Sequence, residues 1–261
     1  MMGDQMAGST AETLIIEDPL TAFCSAVAED LSLLAILHDI EPDKKLLSLL
    51  RSEGFTSSLG LRLKSDEGHK SLAFFDKTLH NLPKKIGTKV LDQLAADYAS
   101  IYLNYGINAS PEESVWIDEE NLICQDSMFQ VRNCYESHGL GVEDWRIRPD
   151  DHLVMQLRFM QFLFENNPDL KTFVEVAQFM DEHLLRWLMQ FSNRVANRCD
   201  TPYFAGLSLV TAYYCEELRD LLANILDEPR PTPEEIEERM KPKRRAEAVP
   251  VSFMPGMGPA V

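Results

Sequence analysis

The sequence is poor in basic residues, has few cysteines and is expected to hold no long apolar run. Its 261 residues include 42 acidic but only 25 basic side chains, which gives a formal charge of −17. Nucleic-acid binding needs a basic face that neutralises phosphates, so this class of function is excluded, and docking on an anionic membrane is disfavoured. We expect no apolar stretch to approach the roughly 18 residues of a membrane span, and hence no stable membrane insertion. The charge favours a basic partner instead.

Cysteine usage and the first residues both indicate a cytoplasmic location. The five cysteines are scattered and include no C-x-x-C pair, so they predict buried thiols in a reducing compartment rather than a disulfide framework or a zinc site. Residues 1–17 contain no Lys or Arg and no apolar run of signal-peptide length. We therefore expect neither a signal peptide nor a transit peptide there.

Signatures of the common enzyme classes are missing as well. The sequence contains no P-loop, no dinucleotide fingerprint, no G-x-S-x-G and no H-E-x-x-H, and its six histidines include no pair at i, i+4 spacing. We predict no enzyme activity, no catalytic residue, no metal and no cofactor. A nucleotide- or metal-dependent hydrolase stays open as an alternative, because Asp151-His152 could contribute to a metal site if other helices supplied further ligands.

Apolar residues recur with helical spacing through most of the chain. Apolar positions at steps of three and four predict helices through almost the whole chain. Helix starts are predicted at Asp18-Pro19 and Glu41-Pro42, and helix ends at Gly54 and Gly139. No alternating strand pattern persists. The sequence therefore predicts an all-α protein with a flexible segment over residues 1–17, one helical-bundle domain over residues 18–226, and a Pro-rich, disordered tail over residues 227–261. A short helix at residues 233–240 is compatible with that tail.

The segment Pro149-Asp150-Asp151-His152 carries the most chemical information. It precedes an apolar helical run, so Asp150 or Asp151 is expected to cap a helix that begins at Asp150. The surrounding residues 110–151 hold 11 acidic and 3 basic side chains. Trp116 falls in a predicted loop, where binding residues are common. An acidic surface beside apolar side chains suits a basic, partly apolar peptide, although a solvated helix cap explains the same pattern.

Several motifs, in consistent order over about residues 18–226, resemble the TorD/DmsD/NarJ family of molybdoenzyme maturation chaperones. Three groups of residues carry the resemblance: a D-Y helix leading to a P-x-E-S-V-W loop, a P-x-D-H segment followed by L-x-x-M, and an H-L…W…F segment followed by P-Y-F. They are Asp97-Tyr98 with Pro111 and Glu113-Ser114-Val115-Trp116; Pro149 to His152 with Leu157 and Met160; and His183-Leu184, Trp187, Phe191 and Pro202-Tyr203-Phe204. Arg148 stands where the family pattern has Glu, and Arg186 stands where it has Pro.

This resemblance implies a TorD-like helical bundle and a cytoplasmic chaperone that binds the precursor of a molybdopterin oxidoreductase. Its partners would be the apo form of that enzyme and its twin-arginine leader, so that export is delayed until the cofactor is inserted. When the family's binding positions are carried over to this sequence, the leader-binding site would consist of Trp116, Asp126, Pro149, Asp151 and His152.

Beside the hydrolase, one further alternative to the leader-binding chaperone stays open. A NarJ-like assembly factor for an enzyme that is never exported is the nearest alternative. The family is also associated with weak guanine-nucleotide binding. We expect a monomer or a domain-swapped dimer, since helical domains joined by exposed hinges can exchange between chains. The tail residues Lys243-Arg244-Arg245 could occupy the acidic site as a mimic of the leader, although their composition favours a disordered, solvated tail.

Overall fold

The computed structural model describes residues 18–241, and its regular elements over that range are helices. The helices in chain order are α1 (Pro19–Asp39), α2 (Lys44–Glu53), α3 (Phe55–Ser58), α4 (Asp66–His80), α5 (Thr88–Tyr98), α6 (Ser114–Ile117), α7 (Asp126–Ser137), α8 (Leu153–Asn166), α9 (Leu170–Glu182), α10 (Leu188–Arg198), α11 (Pro202–Leu226) and α12 (Pro233–Met240). A π-helical turn (Ala99–Leu103) follows α5, and a 3₁₀ turn (Leu184–Arg186) precedes α10. The predicted all-α class is confirmed.

Local sequence sets most helix starts. Asp18 accepts the Thr21 N–H and Pro19 occupies the first helical position, as predicted for α1. The second start differs from the prediction, because Asp43 rather than Glu41 caps α2. Gly54 ends α2 with a φ of 76°, a conformation that only glycine adopts without strain.

Leu91, Leu94, Tyr98, Ile101 and Tyr105 recur at steps of three and four, which predicts one continuous helix, but the structure splits this stripe. Helix α5 widens into the π-helical turn after Tyr98, and Tyr105 itself has a φ of 56°. Such single π turns are frequent where a helix is adapted to a functional site. This turn leads the chain into the segment that holds Pro111 and Glu112.

The core lies where α1 packs along α8 and where α11 packs against α4 and α10. Large side chains such as Phe75, Trp187 and Tyr214 are fully buried there. The expectation that no apolar stretch is long enough to span a membrane is wrong for α1, which has that length and composition. One face of α1, which includes Leu31, Leu34 and Leu37, is buried against the core, and this burial explains the apolar composition without a membrane.

The segment after α11 contains the short helix that the sequence allowed at residues 233–240, and up to residue 241 it is more ordered than a Pro-rich tail is expected to be. Residues 227–241 include α12, which begins with a capping box between Thr232 and Glu235. Arg230 pairs with Glu216 at 2.7 Å, and Arg186 pairs with Glu237 at 2.7 Å. These ion pairs and the cap fix a segment that its proline content predicted to be disordered. Residues 242–261, including the predicted leader mimic, lie outside the described residues.

Candidate functional site

Two predicted segments that are far apart in sequence lie side by side in the structure. Glu112 and His152 form an isolated antiparallel bridge. The Leu153 N–H donates to the Pro111 carbonyl at 2.8 Å, and the Glu113 N–H donates to the Asp151 carbonyl at 3.2 Å. These bonds join the segment before α6 to the segment before α8, and we call the joined segments and the side chains around them the candidate site.

Helix α8 is capped by a different residue from the one predicted. It begins at Leu153, and His152 Nδ1 accepts the Val154 N–H at 3.1 Å. Neither Asp150 nor Asp151 caps α8, because both carboxylates point toward other elements. Asp151 Oδ2 instead accepts the Ser114 N–H at 2.8 Å, which satisfies the first turn of α6.

Asp150 anchors the site to α7. Its carboxylate accepts from Arg132 Nη2 at 2.7 Å, while its carbonyl accepts from the Tyr135 hydroxyl at 2.8 Å. The Arg132 guanidinium also lies over the rings of Phe129 and Trp145, at 5.2 and 5.1 Å from their centroids. One arginine therefore joins the buried acid to two aromatic residues nearer the surface.

A buried polar chain runs beneath α6. Glu113, which is fully buried, accepts from Gln156 Nε2 at 2.5 Å and pairs with His183 Nδ1 at 3.0 Å. Cys134 Sγ lies 3.8 Å from the other ring nitrogen of His183. Burial disfavours the charged form of His183, but Glu113 and Cys134 outweigh this effect and raise its pKa to about 10. His183 is therefore a buried cation at neutral pH.

The remaining carboxyl groups of the site are crowded and dehydrated. Burial raises the pKa of Glu112 to about 7, although hydrogen bonds from Ser110 and Tyr105 oppose this shift. Burial likewise raises the pKa of Asp151 to about 6 against the hydrogen bonds from Ser114, and the negative charge of Glu113 adds to the increase. Burial and the charge of Arg148 lower the pKa of His152 to about 3, so this ring is neutral.

Buried acceptors outnumber donors at the site. Two acceptors, Asp151 Oδ1 and Gln156 Oε1, and one hydroxyl group, Ser114 Oγ, are buried without a hydrogen-bond partner among residues 18–241. A buried acceptor that is left unpaired costs about 1–3 kcal/mol. The arrangement can therefore accept a ligand that brings several hydrogen-bond donors and a positive charge.

The structure brings four of the five predicted site residues together and places the fifth, Asp126, on the surface beside them. Pro149, Asp151 and His152 are buried, with Asp151 at 0% and His152 at 5% exposure. Trp116 is half-buried on α6, donates from Nε1 to the Ser110 carbonyl at 2.8 Å, and lies under the Arg194 guanidinium at 4.2 Å. Asp126 is exposed at the first residue of α7, and no hydrogen bond within residues 18–241 joins it to Asp151.

The sequence did not point to Arg132, Cys134 or Gln156, which complete the buried hydrogen-bond network of the candidate site. It also did not predict that Glu113 pairs with His183. Glu113 and His183 were both inside recognised motifs, but the motifs alone do not show that the two side chains meet across 70 positions. The only feature of the sequence that could have indicated this network is the high density of carboxylates, because buried carboxylates need buried cations to balance their charge.

Exposed apolar and acidic side chains cover the neighbouring surface. Leu122, Ile123 and Phe129 are 53%, 43% and 45% exposed. Glu119 and Glu120 are exposed directly before them. We call residues 117–129 the rim segment. Among residues 18–241, no group of three or more His, Cys, Asp or Glu side chains is arranged to hold a metal ion.

The two positions at which the sequence departs from the family pattern both form ion pairs. Arg148 Nη1 lies 2.5 Å from the Asp39 carboxylate, which also pairs with Arg158 at 2.7 Å. Arg186 pairs with Glu237 of α12. Arg148 thus attaches the candidate site to the end of α1, and its charge is balanced by Asp39.

Comparisons with known proteins agree with the resemblance. The profile of the family described as "Nitrate reductase delta subunit" matches residues 69–193. The chain is 28% identical over 113 residues to a "Probable Tat proofreading chaperone DmsD" of Haemophilus influenzae, covering 42% of this chain and 53% of that protein. It is 26% identical over 130 residues to "Chaperone protein TorD" of Vibrio vulnificus, covering 46% and 60%, and 31% identical over 110 residues to TorD of Vibrio cholerae, covering 39% and 50%. The chain thus spans about half the length of the curated relatives it matches, and the predicted resemblance to the TorD/DmsD/NarJ family is confirmed.

Proposed function

We propose that this protein is a cytoplasmic maturation chaperone, not an enzyme, that binds the twin-arginine leader and the apo form of a molybdopterin oxidoreductase. One observation carries the proposal: Asp151, in one of the family's motifs, has a buried carboxylate oxygen without a donor, and an acidic and apolar rim segment lies nearby. The names of the relatives, which are proofreading and TorD chaperones, support the same class of function.

An arginine side chain suits the unpaired acceptors of the candidate site. A guanidinium presents five N–H donors in a planar fork and keeps its charge when dehydrated. Asp151 Oδ1 and Gln156 Oε1 could each accept one of these donors, and the charge would balance the excess of buried carboxyl groups. Lysine offers a compact ammonium group without the fork, so it fits these acceptors less well.

The rim segment suits the apolar part of a leader. Leu122, Ile123 and Phe129 offer exposed apolar surface, and the carboxylates of Glu119 and Glu120 attract a basic peptide toward it. Because Asp151 is fully buried, a leader arginine reaches it only after α6 moves aside. Helix α6 is a single turn held through the Ser114 N–H and the Trp116 indole, so its displacement requires these bonds to break while Glu113 keeps the segment before it attached to Gln156 and His183.

The decisive experiment measures binding of a synthetic leader peptide with two adjacent arginines and an apolar stretch to the full chain by fluorescence anisotropy. We expect saturable binding that weakens as salt is raised, and weaker binding of the twin-lysine peptide. Asp151→Asn removes a charge-assisted hydrogen bond and should weaken binding about 10-fold or more. Asp92→Asn, the same chemical change on the exposed surface of α5, should leave the affinity unchanged.

Two results would contradict this assignment. Unchanged affinity in Asp151→Asn would show that the leader does not use the buried acceptors. Failure of the unmodified protein to bind any twin-arginine peptide would favour the second candidate, a NarJ-like assembly factor, which the family description "Nitrate reductase delta subunit" supports. An adjacent molybdoenzyme gene without a twin-arginine leader would point the same way. We propose no resident cofactor; guanine-nucleotide binding, if measured, would be weak and independent of leader binding.

A further inference from the structure

Helix α12 brings the chain to α7, beside the rim segment. Gln130 Nε2 of α7 donates to the carbonyl of Met240, the last residue of α12, at 3.4 Å. Gln130 follows Asp126 by four positions in α7, so the two side chains are neighbours on the helix surface, with Cβ atoms about 5–6 Å apart. The described chain ends at the next residue, Lys241, and therefore close to the acidic first turn of α7.

The rim segment combines carboxylates with exposed apolar side chains and contains no basic residue. Ser127 Oγ donates to Asp118 Oδ2 at 2.6 Å, which holds the start of the segment against α7. Among residues 18–241, none of the rim carboxylates has an ion-pair partner. These carboxylates are Asp118, Glu119, Glu120 and Asp126. Along the chain they stand on both sides of the exposed apolar side chains of Leu122 and Ile123.

The residues that follow Lys241 are basic first and apolar afterwards. Positions 243–245 are consecutive basic residues, and residues 249–254 include two valines, a phenylalanine and a methionine. An extended chain spans about 3.5 Å per residue, so the three residues after Met240 reach about 10 Å. This length suffices to bring the basic residues to Asp126, and the apolar residues follow within reach of the exposed side chains of the rim segment.

Attachment to α12 favours this contact over binding of a separate peptide. The basic and apolar residues are joined to a fixed point beside the rim segment, so their effective concentration there is on the order of millimolar. Arg132 lies over the Phe129 ring, but its charge is paired with the Asp150 carboxylate and therefore does not repel them. Exposed ion pairs and a modest apolar contact, each weak alone, are then sufficient to populate a docked state.

We propose that residues 243–254 dock on the rim segment of the same chain. The three basic side chains pair with the rim carboxylates, and the apolar residues that follow cover Leu122, Ile123 and Phe129. The sequence alone favours a solvated tail, and the position of Met240 against α7 is the observation that favours docking instead. The docking does not depend on the proposed function. Its consequence, competition with the leader for the rim segment, rests on that function.

Zero-length cross-linking of the full chain tests the docking without any leader. A carbodiimide joins a lysine amine to a carboxylate by an amide bond, with loss of water, only where the two groups are in contact. We expect Lys243 to be joined to one or more rim carboxylates, and to lose these cross-links as salt is raised. Lys241 pairs with Glu238 within α12, so this pair should cross-link in every sample and serves as the positive control. Mixing isotope-labelled and unlabelled protein separates links within a chain from links between chains.

Two double variants of equal charge give a matched comparison. Arg244→Gln with Arg245→Gln should reduce the yield of Lys243 cross-links about 3-fold or more, because two ion pairs are lost while the reporting lysine stays. Lys44→Gln with Lys45→Gln removes the same charge from the exposed surface of α2 and should leave the yield unchanged. If the leader binds as proposed, the first variant should also bind it more tightly, and the second should not.

Three results would overturn the docking. They are the absence of Lys243 cross-links in samples where Lys241 is joined to Glu238, cross-links that form only between chains, and an unchanged yield in the variant with Arg244→Gln and Arg245→Gln. Unchanged leader affinity in that variant would overturn the competition alone. Failure of every twin-arginine peptide to bind would contradict the proposed function, while the cross-links would still decide the docking.

Discussion

Leader binding should depend steeply on pH between 5.5 and 8. Burial raises the pKa of Asp151 to about 6 and that of Glu112 to about 7. A guanidinium binds ionised carboxylates, so at low pH each of these groups that takes part must lose its proton before binding is complete. His152 is neutral and His183 is charged throughout this range, so neither contributes to the change.

The size of the effect follows from these two pKa values. If only Asp151 must ionise, binding at pH 5.5 should be about 4-fold weaker than at pH 8. If Glu112 must ionise as well, the loss becomes on the order of 100-fold. The folded-state pKa of each group lies above its unfolded value, so each stabilises the free protein most below about pH 4 and loses that contribution as the pH rises through 6 and 7. The leader should therefore raise the melting temperature more at pH 8 than at pH 6.

The assay is leader-peptide anisotropy at constant ionic strength across this pH range, with calorimetry in two buffers to count the protons released. Asp151→Asn should remove its share of the pH dependence, and Glu112→Gln should remove the larger share if Glu112 takes part. Asp92→Asn should leave the pH profile unchanged. Affinity that is constant over this range, or that rises as the pH falls, would refute the assignment of the leader to these buried carboxyl groups.

Two further substitutions test the packing that supports the site, both by urea unfolding. Arg132→Met should destabilise the fold by about 3 kcal/mol, because it leaves the Asp150 carboxylate, which is 2% exposed, without its partner; Arg146→Met, at an exposed arginine, should have little effect. Gly206→Ala should cost about 1–3 kcal/mol, because its Cβ would lie 2.8 Å from the Phe75 ring in the interface of α4 and α11.

The helical class and most helix limits could be predicted because their causes are local. Asp18-Pro19 and Gly139 act on their own turn of chain, and the structure places a helix start and a helix end at these positions. The role of Asp151 could not be predicted in this way. Its carboxylate bonds to Ser114, 37 positions away, and only the folded chain shows that Asp151 stabilises α6 rather than the helix that follows it.

Burial changes the meaning of the predicted acidic patch. Charge density alone suggested that Asp151 and His152 face the solvent, but the structure encloses both. A buried carboxylate attracts cations more strongly than an exposed one, because water screens it less, and it also discriminates better by shape. The exposed carboxylates of the rim segment would therefore attract a basic peptide weakly, whereas the buried carboxylate of Asp151 would select arginine beneath α6.

Arg148 does not reverse the charge of this site, even though it replaces an acidic residue of the family pattern. Its guanidinium pairs with Asp39, which is 17% exposed and also accepts from Arg158. The positive charge is thereby directed toward the end of α1, while its field helps to keep His152 neutral as the cap of α8. Arg148→Glu would place a carboxylate beside Asp39 and remove the field that favours neutral His152. The restored family residue should therefore lower the stability of this protein, which a urea titration would show, even if it leaves leader affinity intact.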